Sequence, residues 1–211
     1  MPTAGNNHAL LLEQLARVCR SGRAEESARP AAQSSGFAAL DAVLPGGGWP
    51  MGAVTELMAD GAGIGELSLL LPALVQLARG GRYLAWIAPP YLPYAPALAQ
   101  HGVPLEQLLL VRAPDSREAL WAAEQMLRCS SFGAVLAWPA HIADKSVRRL
   151  QLAAEAGASL CALYRPVSAA LIPSPAALRL RLSAADNGLA VVIHKARGGA
   201  RRRVHLRCGD S

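Results

Sequence analysis

Asp60-Gly61-Ala62-Gly63-Ile64-Gly65-Glu66-Leu67-Ser68 is the stretch of this 211-residue chain that comes nearest to a chemical motif. It is a glycine-rich loop between a strand-like and a helix-like run, the setting in which backbone N–H groups converge on a phosphate. The working version reads G-x-x-x-x-G-K-[ST]; its lysine meets the β- and γ-phosphates and its hydroxyl holds Mg²⁺. Counted from Gly65, the first glycine position holds Asp60, the lysine position Glu66 and the hydroxyl position Leu67, with Ser68 one residue late. Two carboxylates repel a triphosphate, and leucine ligates no metal. A one-residue slip still leaves no lysine in the loop. The acids that should end the neighbouring strands are missing too. The apolar run 132–137 leads into Trp138-Pro139 with no carboxylate before Asp144, and 83–88 leads into Pro89-Pro90-Tyr91. The loop Asp60, Gly61, Gly63, Gly65, Glu66, Leu67, Ser68 therefore reads as vestigial. The chain is expected to be a pseudo-ATPase without catalytic residues or cofactor.

Other catalytic sets are weaker. His8, His101, His141, His194 and His205 are scattered, and no G-x-S-x-G marks a nucleophile. Cys19, Cys129, Cys161 and Cys208 form no C-x-x-C and have no histidine at ligand spacing, so neither a metal site nor a disulfide framework is expected; free thiols in a reducing cytoplasm are. With 52% hydrophobic and 17% charged residues, the chain is neither disordered nor a coiled coil. No apolar run is long enough to span a bilayer, and the polar start gives no secretory signal. A cytoplasmic protein is expected. The +6 net charge is concentrated at one end: residues 1–178 hold 13 Lys+Arg and 13 Asp+Glu, residues 179–211 hold 8 and 2. Arg179, Arg181, Lys195, Arg197, Arg201, Arg202, Arg203 and Arg207 are the candidate contacts to DNA or an anionic partner.

The elements that must position these residues emerge from periodicity. Residues 8–20 form a short amphipathic helix with Leu11, Leu12, Leu15 and Val18 on its apolar side. A Ser- and Ala-rich linker with Pro30 comes next, so 1–35 reads as a detachable arm whose helix folds back or docks on another chain. From 36 onward, strands at 53–59, 83–88, 108–112, 132–138 and 159–164 alternate with helices at 64–79, 94–101, 116–129 and 144–156. Asp115 is the expected N-cap of the third of these helices. The strands are continuous apolar runs, as in a parallel sheet covered on both faces. Residues 178–183 alternate leucine with arginine and serine; with 189–195 and 202–207 they form an antiparallel meander within 177–208. Trp86 and Trp121 read as core. Trp49 and Trp138, each beside a proline, could stand exposed as anchors for a partner or a base.

Ser35-Gly36-Phe37-Ala38-Ala39-Leu40-Asp41, then Gly46-Gly47-Gly48-Trp49-Pro50-Met51-Gly52 and Thr55-Glu56-Leu57, resemble the opening of a RecA-type ATPase core. The likeness continues through Gly80–Ile87 to about residue 165. It implies an α/β RecA-like core at 36–211 with a mostly parallel sheet flanked by helices. The residues resemble most closely the ImuA family of translesion-synthesis accessory proteins, on the stretches 36–57, 163–170 and 178–199. Residues 52–170 also resemble SulA, the cell-division inhibitor that binds FtsZ. The first resemblance implies a non-catalytic, damage-inducible (SOS) role in mutagenic DNA repair. Its partners would be an ImuB-like polymerase-like protein, an error-prone DnaE-type polymerase and RecA, with DNA contact and self-association open. Lys195 and Arg197 resemble positions at which RecA-type proteins reach a neighbour's nucleotide. The alternatives are a SulA-like inhibitor and a working P-loop ATPase.

Overall fold

Six of the seven residues of Ala53–Ala59 are buried, which is what a strand covered on both faces requires. The computed structural model that shows this describes residues 13, 15–19, 31–61, 63–139, 141–196 and 201–207. In chain order the elements are β1 (Ala32–Gln33), α1 (Ala38–Asp41), β2 (Trp49–Pro50), β3 (Ala53–Ala59), α2 (Leu71–Arg79), β4 (Tyr83–Ile87), α3 (Ala95–Gln100), β5 (Leu108–Val111), α4 (Ser116–Arg128), β6 (Phe132–Ala137), α5 (Asp144–Gly157), β7 (Leu160–Pro166), β8 (Leu178–Ala185), β9 (Gly188–Ala196) and β10 (Arg203–Arg207). An 8-stranded sheet has the order β10-β9-β8-β3-β7-β6-β4-β5. Its strands are parallel from β8 through β5, and β9 runs antiparallel to both its neighbours, β8 and β10. The expected mixed α/β architecture, with helices on a mostly parallel sheet and an antiparallel C-terminal part, is present.

Period-two alternation divides the core. Leu57, Leu84, Trp86, Leu136, Ala162, Leu178 and Leu180 point to one side, where α2, Phe37, Leu40 and Trp49 cover them. Val54, Ala85, Ile87, Val135, Cys161 and Leu163 point to the other side, under α4 and α5. The segment leading into this core is tied by Asp41, whose carboxylate accepts from the Ser34 hydroxyl at 2.7 Å and the Ser35 N–H at 2.9 Å. Asp115 caps α4 as expected, accepting from the Glu118 N–H at 2.8 Å.

Three expectations need correction. Residues 64–70 are turns, and α2 starts at Leu71 rather than at 64. Pro72 has no N–H to donate, so it belongs in a helix's first turn and cannot sit inside a longer one. The helical residues 15–19 are not a detachable arm but fold back on their own chain, one of the two outcomes expected for them. Leu15 is buried in the core under α4 and α5, Val18 packs there, and Cys19 is disulfide-bonded to Cys129. An apolar stripe buries itself on the nearest apolar surface, here its own chain. Leu11 and Leu12, the other residues of the expected docking face, lie outside the described residues. The expectation of free thiols fails for the bridged pair, whose partners are 110 residues apart in sequence. Cys161 is free and buried, and burial pushes its thiol pKa well up.

A charged cluster crosses the middle of the sheet. Glu56 on β3 is fully buried, and its carboxylate accepts from Arg165 of β7 at 2.8 Å, Arg179 of β8 at 2.6 Å and the Ser174 hydroxyl at 2.9 Å. Arg179 also donates to the carbonyls of Ala169 at 2.7 Å and Ile172 at 3.0 Å, pinning the turn after β7. Every charge here is paired, which is the condition for burying it.

Replacing Glu56→Ala strands two guanidiniums, and we expect a loss of about 3–5 kcal/mol. A lowered urea midpoint measures it; a change under about 1 kcal/mol contradicts the role given to the cluster. In oxidised protein, non-reducing digestion should yield a Cys19–Cys129 linked peptide, and Cys19→Ser should cost about 2–4 kcal/mol. Absence of the linked peptide contradicts the bridge.

Candidate functional site

The loop after β3 has the shape of an anion cradle and already contains an anion. Glu66 turns back on it, and its carboxylate accepts from the Gly63 N–H at 2.9 and 3.0 Å and the Ile64 N–H at 2.9 Å. Backbone N–H groups that would face a phosphate are satisfied by the chain itself. Gly63 at φ 87° and Gly65 at φ 95° supply the left-handed turns this needs. Behind the loop, Tyr164 donates to the Glu66 carbonyl at 3.3 Å and stacks on Trp138, centroids 4.5 Å apart and planes 3° apart. Trp86 meets Trp138 edge-on at 6.3 Å. Burial, and then the Glu66 charge, raise the Tyr164 pKa well above its ordinary value. The candidate residues Asp60, Gly61, Gly63, Gly65, Glu66, Leu67 and Ser68 are thus one loop, closed by Glu66 in front and by aromatic rings behind. Sequence reasoning places the Glu66 charge near this site but misses its bond to the loop. Trp49 is fully buried and no surface anchor.

A second feature lies at the same end of the sheet. Ala88, the residue after β4, has φ 48°, a conformation that costs a non-glycine residue about 1–2 kcal/mol. It hands the chain to Pro89-Pro90-Tyr91-Leu92-Pro93-Tyr94, where Tyr91 is 74%, Leu92 70% and Tyr94 72% exposed. Three prolines stiffen this loop, so its aromatic rings are held out at low entropic cost. Leu171 and Ile172, 88% and 58% exposed, leave the same end of β7. The sequence marks the proline run only as the place of a missing acid. No pattern shows that its tyrosines stay uncovered.

The arginines part company. Arg181, Arg201, Arg202, Arg203 and Arg207 are exposed, as is Lys195, which donates to the Ser174 carbonyl at 2.7 Å. Arg179 is not a surface contact: it is 3% exposed and committed to Glu56. Arg197 lies outside the described residues. On the α4 and α5 side of the sheet, a cleft of about 950 Å³ opens between α4, α5 and the end of β7, with Trp121, Ile142, Glu124 and Arg165 in its lining. Glu124 there pairs with Arg128 and Arg149. Among the described residues, no group of three or more His, Cys, Asp or Glu is placed to hold a metal, and no helix is long and apolar enough to cross a membrane.

The family model described as "Cell division inhibitor SulA" matches residues 52–161. The cell division inhibitor SulA of Edwardsiella piscicida is 37% identical over 116 residues, spanning 54% of this chain and 68% of that protein. SulA of Pectobacterium atrosepticum is 33% identical over 102 residues, spanning 48% of this chain and 61% of that protein. The crystal structure of SulA from Pseudomonas aeruginosa aligns at a TM-score of 0.45 with 27% identity, spanning 53% of this chain and 97% of that one. The matched stretch contains the closed loop and the tyrosine loop; it ends within β7, before Arg165 and the arginine-bearing strands.

Tyr164 gives this site a pH signature. Its native pKa is raised above the unfolded value of 10.0. It contributes stability that is fully present below about pH 10 and falls away as pH rises toward the native value, because only the unfolded state then releases the proton. Stability measured from about pH 9.5 to 11 should fall less steeply in Tyr164→Phe than in the wild type; equal slopes contradict the assignment.

Proposed function

We propose that this chain, which belongs to the SulA family, inhibits cell division by binding FtsZ and keeping it from assembling. The expected main role as an ImuA-like accessory of translesion synthesis is corrected. The matched family model and the relatives above are named as division inhibitors, over the stretch that holds the degenerate loop. The ImuB-like protein, the DnaE-type polymerase and RecA have no part in this reading. SOS induction is compatible with both roles and is kept.

The observation that carries the proposal is the tyrosine loop. Tyr91, Leu92 and Tyr94 lie within the matched residues, and they present three large side chains to solvent on a stiffened turn. Exposed aromatic anchors of this kind supply much of the energy of protein–protein contacts. The closed loop supports the same view from the other side. With Glu66 on the Gly63 and Ile64 amides, the chain acts by contact and turns over no nucleotide. We read the strand order, with β3 between β8 and β7, as a RecA-type core that has kept its sheet and given up its phosphate site.

The test is GTP-dependent FtsZ assembly followed by light scattering and pelleting. Micromolar wild-type protein should suppress assembly, with or without added ATP. Tyr91→Ala with Tyr94→Ala should raise the concentration needed by at least about tenfold while leaving the fold's circular dichroism unchanged. Undiminished FtsZ assembly in excess wild-type protein contradicts the proposal.

A further inference from the structure

The three strands β8, β9 and β10 lie outside the family-matched stretch and, with the segment that connects β9 to β10, carry the chain's excess charge. Register shows how that charge is arranged. Arg181 is opposite Val192, which is opposite Arg203; Ser183 is opposite Ala190, which is opposite His205; Gly188 is opposite Arg207. These residues share one face, because Leu180, Leu182, Leu189, Val191, Ile193, Val204 and Leu206 fill the other. Adjacent strands are about 4.8 Å apart and alternate residues on a strand about 6.8 Å apart. Arg181 and Arg203, two strand spacings apart, are therefore about 10 Å from each other across the sheet. Arg203, His205 and Arg207 succeed one another along its edge strand. Arg201 and Arg202 lie immediately before β10 and are exposed.

Compensation separates this face from the arginines in the body. Arg128, Arg149, Arg165 and Arg179 each pair with a buried carboxylate. Arg181, Arg201, Arg202 and Arg203 make no ion pair among the described residues. The one carboxylate among the described residues of these strands and their connections, Asp186, sits in the turn at the far end of β8. Burying an unpaired guanidinium is costly, so this face stays in water or meets an anion. Among the described residues, the face also has no exposed Phe, Trp or Tyr and no exposed large apolar side chain. Protein interfaces draw their energy from such anchors, whereas binding to a phosphate backbone needs only positive charge and counterion release.

We infer that the exposed face of β8–β10 binds the phosphate backbone of nucleic acid, without reading its sequence, through Arg181, Arg201, Arg202 and Arg203, with Arg207 and His205 at the edge. With no aromatic platform on the face, charge makes up the whole of the interaction. This activity is separate from division inhibition and stands or falls independently of it.

The experiment is fluorescence anisotropy of the full chain with a labelled mixed-sequence single-stranded oligonucleotide, and with its duplex, at about 50 and about 200 mM salt. Four phosphate contacts predict a slope of log K against log salt of roughly −2.8 for the single strand and roughly −3.6 for the duplex, a loss of roughly 50- and roughly 150-fold over that interval. Arg181→Glu with Arg203→Glu should weaken binding at least about tenfold and flatten the slope, at unchanged thermal midpoint and unchanged FtsZ inhibition. Binding in either arm supports the inference, and comparing the arms tells which strand form is held. No anisotropy change with wild-type protein at low salt overturns it, as does a variant that binds equally well. Loss of FtsZ inhibition in the variant, with no oligonucleotide binding by the wild type, also overturns it and assigns the face to the protein partner.

Discussion

A carboxylate buried in the middle of a sheet has to be answered by positive charge, and the answer to Glu56 organises this protein. Arg165 comes to it from β7 on one side and Arg179 from β8 on the other. The SulA-like stretch ends at Cys161, within β7. Both arginines lie beyond that point, and so do the strands that cover the other edge of β3. Glu56 thus ties the family-matched core to the C-terminal strands. Through Arg179 it also fixes the turn of residues 167–171, from which Leu171 and Ile172 emerge. Similar-sized apolar residues would hold the strands together as well or better. Breaking one partner is what costs, so the three residues behave as a unit.

A second carboxylate shapes the functional end in the opposite sense. Glu66 is partly exposed and bonded to backbone amides rather than to a cation. In a nucleotide-binding loop those amides wait for a phosphate; here the chain's own carboxylate already holds them. Trp138 and Tyr164 occupy the space behind the loop with stacked rings. On the reading proposed above, the residues at Glu66, Leu67 and Trp138 belong to one structural event, the conversion of a ligand site into a rigid platform. The stiff tyrosine loop after β4 and the apolar corner after β7 leave the same end of the sheet. An inhibitor that works by contact needs surfaces of this kind and no turnover.

Much of the sheet is legible in the sequence because continuous apolar runs broken by turn residues leave little room for error. Strand β3 spans the residues expected, and β4, β5 and β6 differ by one residue at an end. The helix after the loop is overextended in the sequence reading because Leu67 to Leu71 holds four leucines in five residues, and only Pro72 marks where the helix begins. The arginines show a deeper limit. Arg179 and Arg181 alternate identically and share a face, yet one is buried and the other exposed. What separates them is Glu56 on the adjacent strand, 123 residues earlier in sequence. The Cys19–Cys129 bridge is hidden for the same reason, since no local spacing announces a pair 110 residues apart. The functional reading goes astray where resemblance at the two ends of the chain is weighed above resemblance in the middle. The middle carries the closed loop and the tyrosines, and there the SulA relationship is shown.

The chain therefore combines a SulA-family core with an arginine-bearing sheet face, joined through one buried ion cluster. What the protein does to a dividing cell is read most directly from cell length. Induced expression in a rod-shaped bacterium should give long filaments that lack septa while growth in mass and DNA segregation continue. Expression at the same level of the variant with Tyr91→Ala and Tyr94→Ala should leave cells of ordinary length. Cells that divide normally while the folded wild-type protein accumulates would contradict the account.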